Sequence, residues 1–341
     1  MNLLVAMSGG VDSSVAAALL LEAGHEVTGA TLKLWGGESD TGCCSVADVE
    51  DARRVARCLG IDHHVFNLGD DFAARVVGPY VEAHRQGATP NPCVECNRHI
   101  KFDRLLRRAT TLGFDAVATG HHARVVTAAD GTRRVARGVD AAKDQSYVLH
   151  MLGQEQLART LLPVGVLSKA EVRSRAEQLG LATAAKPDSQ DVCFVTTTAG
   201  RRGFLADRTA LTPGQVVDLA GRRVGRVDSV ELVTVGQRRG LGLEGGGPPR
   251  FVTEVDVPRA TVRVGSRDDL LRSHVGLRDV VWAAGRVEGP VAAQTSAHGA
   301  PRPGALHGDV LWWDELQPRV APGQSVVLYE GDEVLGGGLA L

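Results

Sequence analysis

The heptapeptide Ser8-Gly9-Gly10-Val11-Asp12-Ser13-Ser14 constrains this chain more than any other feature, because of what flanks it. Residues 2–7 (NLLVAM) form a short apolar run before it, and residues 15–23 are Ala/Leu-rich and stop at Gly24. That order predicts a strand, a glycine loop and a helix with a glycine C-cap. Glycines let a backbone approach a ligand closely. The helix N-terminus offers unpaired N–H groups and the favourable end of a dipole to an anion. The stretch is therefore a candidate phosphate cradle. It lacks the Walker spacing GxxxxGK[ST] with its lysine, and it lacks GxGxxG, so neither of those nucleotide folds is predicted. The plainer alternative is a tight turn in which Asp12 and Ser13 only cap the helix.

The next segments repeat the alternation. Residues 27–34 are apolar, and in residues 46–60 Val46, Val49, Ala52, Val55, Ala56 and Leu59 recur at helical spacing before Gly60. Residues 64–68 and 116–119 have the character of further buried strands. Strands alternating with helices predict a doubly wound α/β domain with a parallel sheet. Beyond about residue 200 the pattern changes to short β-type runs (215–219, 223–227, 251–257, 261–264) between Gly-, Pro- and Asp-rich turns. The remainder continues through VVWAAG, DVLWWDE and QSVVLYEGD, which predicts a small antiparallel barrel. The expected division is 1–200 (catalytic α/β domain), 201–268 (central β-rich domain) and 269–341 (C-terminal β-barrel). Residues 288–304, rich in Pro, Ala and Gly, are expected to form a mobile loop.

The chain carries six cysteines, at 43, 44, 58, 93, 96 and 193, too few and too unevenly placed for a disulfide framework at this length. Such cysteines are more often catalytic or metal-binding. Cys93 and Cys96 form a CxxC after Asn91-Pro92 and before a basic, helical run. Taken alone, that pair permits a structural zinc site, a redox couple or sulfur transfer. Zinc needs further ligands, and the candidates Cys43-Cys44 and His121-His122 are adjacent pairs, ill suited to one metal. A thioredoxin-like pair needs its own βαβ unit. Cys193 follows the polar run Pro187-Asp188-Ser189-Gln190-Asp191, which leaves its thiol accessible, whereas Cys58 suits a buried, inert position. The net charge of −2 gives no global pull toward nucleic acid, so such contact must come from local patches. Only five of the 38 basic residues are lysines. The arginine pairs 201–202, 222–223 and 238–239 suit phosphates or solvent equally. With no signal-peptide pattern and no membrane-length apolar run, a cytoplasmic protein is expected.

The loop at 8–13 resembles the ATP-pyrophosphatase loop of enzymes that cleave ATP into AMP and pyrophosphate. Further motifs are GCCS (42–45), TPNPCVECNRHIKF (89–102), ATGHHAR (118–124), KDQSYVL (143–149), KPDSQDVCF (186–194), TVGQRRGLG (234–242) and PGQSVVLYEGDEVLGGG (322–338). Together they cover nearly the whole chain, which resembles the tRNA-specific 2-thiouridylases. That family replaces the C2 oxygen of the wobble uridine with sulfur.

The resemblance implies a set of roles. ATP, with Mg2+ managed by Asp12, would contact Ala6, Met7, Ser8, Gly9, Gly10, Val11, Asp12, Ser13 and Gly120. Leu32 would line the adenine site or be plain core. Cys193 would accept sulfur as a persulfide from a cysteine desulfurase or a sulfur-relay protein. Cys96 would attack the persulfide and leave a Cys96–Cys193 disulfide. Arg98, His99 and Lys101 would lower the Cys96 pKa or form a solvated basic face. Asn91, Pro92 and Cys93 would border the target base. His121, Lys143, Asp144, Gln145 and Gln324 would meet the anticodon loop of tRNA. A minority variant makes Cys93, Cys96 and Cys193 ligands of a [4Fe–4S] cluster. Two departures stand out: His122 replaces the Tyr common in the family, and the family's tRNA-contacting arginine is not assigned within AAQTSAHGAPRPGAL (292–306). The expected oligomeric state is monomeric. The rivals are an amidotransferase-type synthetase of the same loop class and a non-catalytic RNA- or metal-binding module.

Overall fold

The computed structural model describes residues 1–34, 45–188, 192–195, 200–244 and 247–341. The chain runs through β1 (Asn2–Ala6), α1 (Val11–Glu22), β2 (Glu26–Lys33), α2 (Val46–Leu59), β3 (His63–Asn67) and β4 (Ala116–Thr119). A hairpin of β5 (Ala123–Thr127) and β6 (Arg133–Arg137) follows, and then β7 (Thr160–Leu161). Five of these strands make one parallel sheet in the order β3-β2-β1-β4-β7. Alternate residues of β1 feed opposite faces, as the two-residue period of a strand requires. Leu4 enters a core with Leu32, Phe72, Tyr80 and Ile100, while Leu3 and Val5 enter a second core with Val15, Ala52 and Val172. Both faces are covered, which is why the central strand is continuously apolar.

The helix at 46–59 starts on a capping box between Ser45 and Asp48 and ends at Gly60 in the left-handed conformation. Its buried stripe is Ala52, Val55 and Ala56. Cys58 falls off that stripe and is exposed, so the expectation of a buried structural cysteine is corrected.

The central part holds a four-stranded sheet in the order β10-β11-β8-β9, from β8 (Gly214–Val217), β9 (Arg223–Val227), β10 (Phe251–Asp256) and β11 (Thr261–Gly265). The C-terminal strands are β12 (Leu271–Trp282), β13 (Gly289–Gln294), β14 (Arg302–His307), β15 (Val310–Pro318), β16 (Ser325–Glu330) and β17 (Glu333–Ala340). They run β12-β15-β14-β13-β16-β17, and pairing of β12 with β17 closes the barrel. The expected loop at 288–304 is corrected: β13 and β14 pair antiparallel there, with Ala292 opposite Pro303. Val291 and Ala293 fill the barrel interior with side chains too small to give a strong apolar alternation in sequence.

The catalytic part and the barrel share a sheet. β6 pairs with β17 through Ala136 and Glu333, so the β5–β6 hairpin extends the barrel outward. Two buried histidines sit at the seams between parts. His84 Nδ1 meets the Glu231 carbonyl at 3.1 Å, and the His150 ring packs where a side chain at Gly337 would sit. Burial, with Arg201 beside it, pushes the His84 pKa down to about 4, and burial does the same to His150. As pH falls from the ordinary histidine value near 6.5 toward 4, the unfolded chain takes up protons that the folded chain refuses. Stability is therefore lost across that window, on the order of 3 kcal/mol for each histidine. Thermal unfolding at pH 7, 5.5 and 4.5 is expected to show a steep fall in midpoint. A flat profile would refute a neutral, buried state for this pair.

Candidate active site

The phosphate loop lies at the carboxyl end of β1, where open α/β sheets bind ligands. Gly9 adopts φ +72°, and a Cβ there would lie 2.3 Å from the Asp48 carbonyl oxygen, so α2 closes directly on the loop. The Ser8 amide donates to Ser13 Oγ at 3.2 Å, and the Ser13 and Ser14 hydroxyls donate to the Gly10 carbonyl at 3.1 and 2.8 Å. Ser8 is exposed, and Ala6, Gly10, Asp12 and Gly120 are half-buried. Met7, Val11 and Leu32 belong to the two cores beneath.

Asp12, at the first turn of α1, is the hub of the charges. Lys169 Nζ donates to both of its carboxylate oxygens at 2.7 Å, and His122 Nε2 lies 3.0 Å from Oδ1. Burial alone raises the Asp12 pKa, but the hydrogen bonds from His122 and Lys169 outweigh it and hold the carboxyl below its usual range. Asp188 carries the network outward, with Lys169 at 3.0 Å, Arg173 at 2.8 Å and Lys143 at 2.7 Å. On the other side of the loop, Lys186 Nζ donates to the Gly9 carbonyl at 2.9 Å, Asp48 at 2.7 Å and Asp51 at 2.6 Å.

The neighbouring residues of ATGHHAR and KDQ are tied to the same place. Gln145 accepts from the His122 amide through Oε1 at 2.8 Å and donates its own amide to the His122 carbonyl at 2.9 Å. Asp144 instead faces inward, bound to Arg137 at 2.8 Å and to the Gly138 and Ser146 amides, each at 3.0 Å. His121 is buried, with Nδ1 2.6 Å from Thr119 Oγ1, and burial holds its pKa well below the usual histidine value. The two histidines thus point to different partners, as a shared metal would not allow.

The thiols lie at the end of a second group. Asn91 caps the helix Pro92–Cys96 by accepting from the Cys93 amide at 3.0 Å, and a π-helical stretch, Asn97–Arg104, continues it. Val94 faces the core that includes Tyr147 and Tyr329, while Cys96 faces the core that includes Phe72, Tyr80 and Ile100. Cys193 packs against the same core as Cys96, anchored by Phe194, which meets Phe72 and Tyr80 edge-on at 5.5 Å. Cys96 is buried, while Cys93 and Cys193 are partly exposed. Among the described residues no three His, Cys, Asp or Glu side chains are grouped to hold a metal. Cys43 and Cys44 lie outside the described residues.

Gln324 belongs to the turn Pro322-Gly323-Gln324, whose Pro322 carbonyl accepts from the Thr89 amide at 2.7 Å. That contact puts the barrel beside the segment leading into Asn91. The two groups of residues are linked through Phe102, whose ring lies 5.9 Å from that of His121. Lys169 and Arg173 carry no motif in the sequence. Lys186 and Asp188 lie inside the motif that holds Cys193, where Lys186 stands out as one of only five lysines and Asp188 is one residue of a polar run.

Comparison with known proteins follows this geometry. Residues 1–197 match the model described as "tRNA methyl transferase HUP domain", residues 202–266 the "tRNA methyl transferase PRC-barrel domain" and residues 310–340 the "Aminomethyltransferase beta-barrel domain". The chain is 48% identical over 353 residues to the tRNA-specific 2-thiouridylase MnmA of Chloroflexus aurantiacus, covering 99% of this chain and 97% of that one. It is 49% identical over 356 residues to the protein of the same name from Mycobacteroides abscessus, covering 98% of each. Among solved structures, the U34-tRNA thiolase NcsA from Methanococcus maripaludis, described with its [4Fe-4S] cluster, is 18% identical. It covers 61% of this chain and 63% of its own, at a TM-score of 0.37.

Proposed function

The chain belongs to the tRNA-specific 2-thiouridylase family, and on that premise we propose how its residues divide an ATP-dependent tRNA sulfur transfer between them. The activity is tRNA thiouridine synthesis at the expense of ATP. The family model speaks of methyl transfer, but a methyl transfer has no use for a loop that holds pyrophosphate. The wobble uridine is the proposed target. Its C2 carbonyl is urea-like, a poor electrophile with a poor leaving group. The C2 oxygen attacks the α-phosphorus of ATP, the α–β bridge breaks, and pyrophosphate departs into the cradle of Ser8–Ser13 and the α1 N-terminus. The oxygen now leaves as part of AMP.

Sulfur comes next. Cys193 carries it as a persulfide, loaded by a cysteine desulfurase or a relay protein. The terminal sulfur bonds to C2 as AMP is expelled. The Cys96 thiolate then attacks the Cys193 sulfur, releasing the 2-thiouridine and leaving a Cys96–Cys193 disulfide. The balance closes: the transferred sulfur gains two electrons, the two thiols lose them, and an external thiol resets the pair. Asn91, Pro92 and Cys93 border the base, and His121, Lys143, Asp144, Gln145 and Gln324 fall to the tRNA side. Asp144 acts there by holding the Gly138 and Ser146 amides, and His121 by its ring contact with the Thr119 hydroxyl. A splayed-out base in an anticodon loop suits such a site.

Magnesium fits the donor set, since it prefers one or two carboxylates plus substrate phosphates, and Asp12 supplies such a carboxylate beside the loop. When bound it neutralises charge on the departing pyrophosphate. A [4Fe–4S] cluster does not fit the described arrangement, because Cys93, Cys96 and Cys193 are not grouped as ligands. A cytoplasmic site of action and a monomer accord with the chemistry; among the described residues no helix is long and apolar enough to cross a membrane.

The observation that carries this reading is that Cys96 and Cys193, far apart in sequence, share one core at the edge of an ATP-type loop domain. Iron-free protein incubated with unmodified tRNA, ATP, magnesium and a persulfide donor is expected to form one 2-thiouridine per AMP released. Thiolation that appears only after iron and sulfide are restored would reject the persulfide route. AMP release with ammonia incorporation and no thiouridine would favour the amidotransferase rival.

A further inference from the structure

The C-terminal barrel is open at one end. Val275, Trp313 and Val320 belong to its core, yet all three also line a cavity of about 350 Å³ where β12 begins and β15 ends. The strand register explains the opening. Arg272 and His274 of β12 are two positions apart, but their partners on β15, Gln317 and Trp312, are five apart (317 − 312), so β15 carries three extra residues there. Such a bulge bends a strand and re-aims its side chains. Barrel mouths are frequent ligand sites, and the cavity falls within the usual range of volume for one.

The rim is cationic and held in place. Arg272 Nη1 donates to the Asp269 and Leu271 carbonyls at 2.9 and 2.8 Å, and Arg319 Nη1 donates to the Thr253 carbonyl at 2.9 Å. Among the described residues neither guanidinium lies within ion-pair distance of a carboxylate, and Nε and Nη2 of both meet no protein acceptor. Those groups form the fork that suits a phosphate. His274 also lines the cavity, and its ring lies 4.6 Å from that of Trp312, its partner across the ladder. Strand alternation turns Trp313 into the barrel and leaves Trp312 46% exposed beside the mouth.

The cavity also borders the turn that carries Gln324. Val320 runs directly into that turn, whose Gly323 amide donates to the Ala340 carbonyl at 2.9 Å and whose Pro322 carbonyl accepts from the Thr89 amide. The segment leading to Asn91 is therefore close by. We propose that the barrel mouth is an RNA subsite. It takes one nucleotide of the tRNA other than the target, with the base against Trp312 and His274 at the edge of the apolar floor, and Arg272 and Arg319 on the phosphates to either side. An aromatic plate next to cationic groups is the usual means of holding a single strand. An acidic protein segment would use the arginines but not the plate. A chain with a net charge of −2 draws RNA only through local patches of this kind. The inference rests on the tRNA reading and is scored by binding alone, without thiolation.

The test is the affinity for labelled, unmodified tRNA, followed by fluorescence anisotropy across a series of KCl concentrations. Each phosphate contact contributes about 0.7–0.9 to the slope of log affinity against log salt. Replacing both Arg272 and Arg319 by Gln is expected to weaken binding about 10-fold or more and to reduce that slope by about 1.5. Replacing both by Lys keeps the charges and should restore the slope. Trp312→Ala should weaken binding about 10-fold with the slope unchanged, because stacking releases no counterions. Arg286→Gln, which alters a barrel arginine already spent on Glu288 and Asp309, should change neither quantity. Thermal unfolding midpoints show that each variant is folded, and pyrophosphate release at saturating tRNA should persist in all of them. An unchanged slope in the double Gln variant overturns the proposal, as does an equal fall in Arg286→Gln, which would mark a diffuse charge effect. Loss of polyglutamate binding with tRNA binding intact would also overturn it and assign the mouth to an acidic protein. Failure of the unsubstituted protein to bind tRNA would sink the tRNA reading and this subsite together, whereas tRNA binding with an unaltered slope sinks the subsite alone.

Discussion

Cys193→Ser is expected to form no 2-thiouridine in multiple turnovers, a loss of about 10,000-fold or more, on the scale seen when a nucleophile is removed from a covalent mechanism. The same variant should still release pyrophosphate, because the cradle is built from Ser8–Ser13, whose hydroxyls are held by the loop's own backbone groups. The release should stop after about one equivalent, with adenylated tRNA held and no sulfur to discharge it. Cys96→Ser separates the two thiols. It should load persulfide on Cys193 normally and then stall, because nothing remains to break the Cys193 sulfur–sulfur bond. Mass spectrometry would show the unmodified chain cycling through a disulfide, Cys193→Ser carrying no persulfide, and Cys96→Ser accumulating a covalent adduct in which the Cys193 sulfur is joined through the transferred sulfur to the tRNA. Full thiolation by both variants would reject any part for these two thiols in the sulfur transfer. A stall at the same stage in both would reject only the division of labour.

The α/β half of this fold was legible because its signals are local. The helix at 46–59 begins at a Ser–Asp capping box and ends at a glycine, so both ends are encoded within its own residues. Strands β4 and β9 fall at the expected residues for a similar reason, bounded by turns. The barrel was legible as a class but not strand by strand. Its interior at 289–294 is filled by Val and Ala, too small to mark an alternation, and the stretch passed for a loop. The β5–β6 hairpin finds its partner β17 far along the chain, a pairing with no local mark.

The same distinction explains the site. Ser8–Ser13 announces itself because the cradle is made of consecutive backbone groups. The side chains that set its charge come from elsewhere: Lys169 lies 157 positions from the Asp12 it binds, and Lys186 lies 177 from Gly9. A lysine at a helix start or in a loop has no sequence mark that separates an ion-pair hub from a solvated face. Asp144 and His121 show the reverse case. Motif position put them on the ligand side, while the structure turns both toward buried partners.

Gly120→Ala is expected to cripple ATP use with the fold intact. Gly120 follows β4 and lies against the first turn of α1, where a Cβ would sit 2.5 Å from the Ser13 nitrogen, 2.7 Å from the Asp12 carbonyl carbon and 2.9 Å from the Ser13 α-carbon. All three are backbone atoms, so no side chain can swing aside. The added methyl must displace the helix N-terminus whose N–H groups face the phosphates. A shift of this kind costs about 100-fold in turnover, because cradle donors act only at the right distance. The overpacking should cost about 1–3 kcal/mol of stability, too little to unfold the domain. Gly24→Ala is the matched control. That residue has φ +80° with nothing within 4 Å of its absent Cβ, so alanine there meets backbone strain alone. It should lower the unfolding midpoint by a similar margin and leave pyrophosphate release unchanged. If both variants lost activity in proportion to stability, Gly120 would be a packing glycine and nothing more. Loss confined to Gly120→Ala, at equal stability, ties the close approach of β4 to the cradle itself.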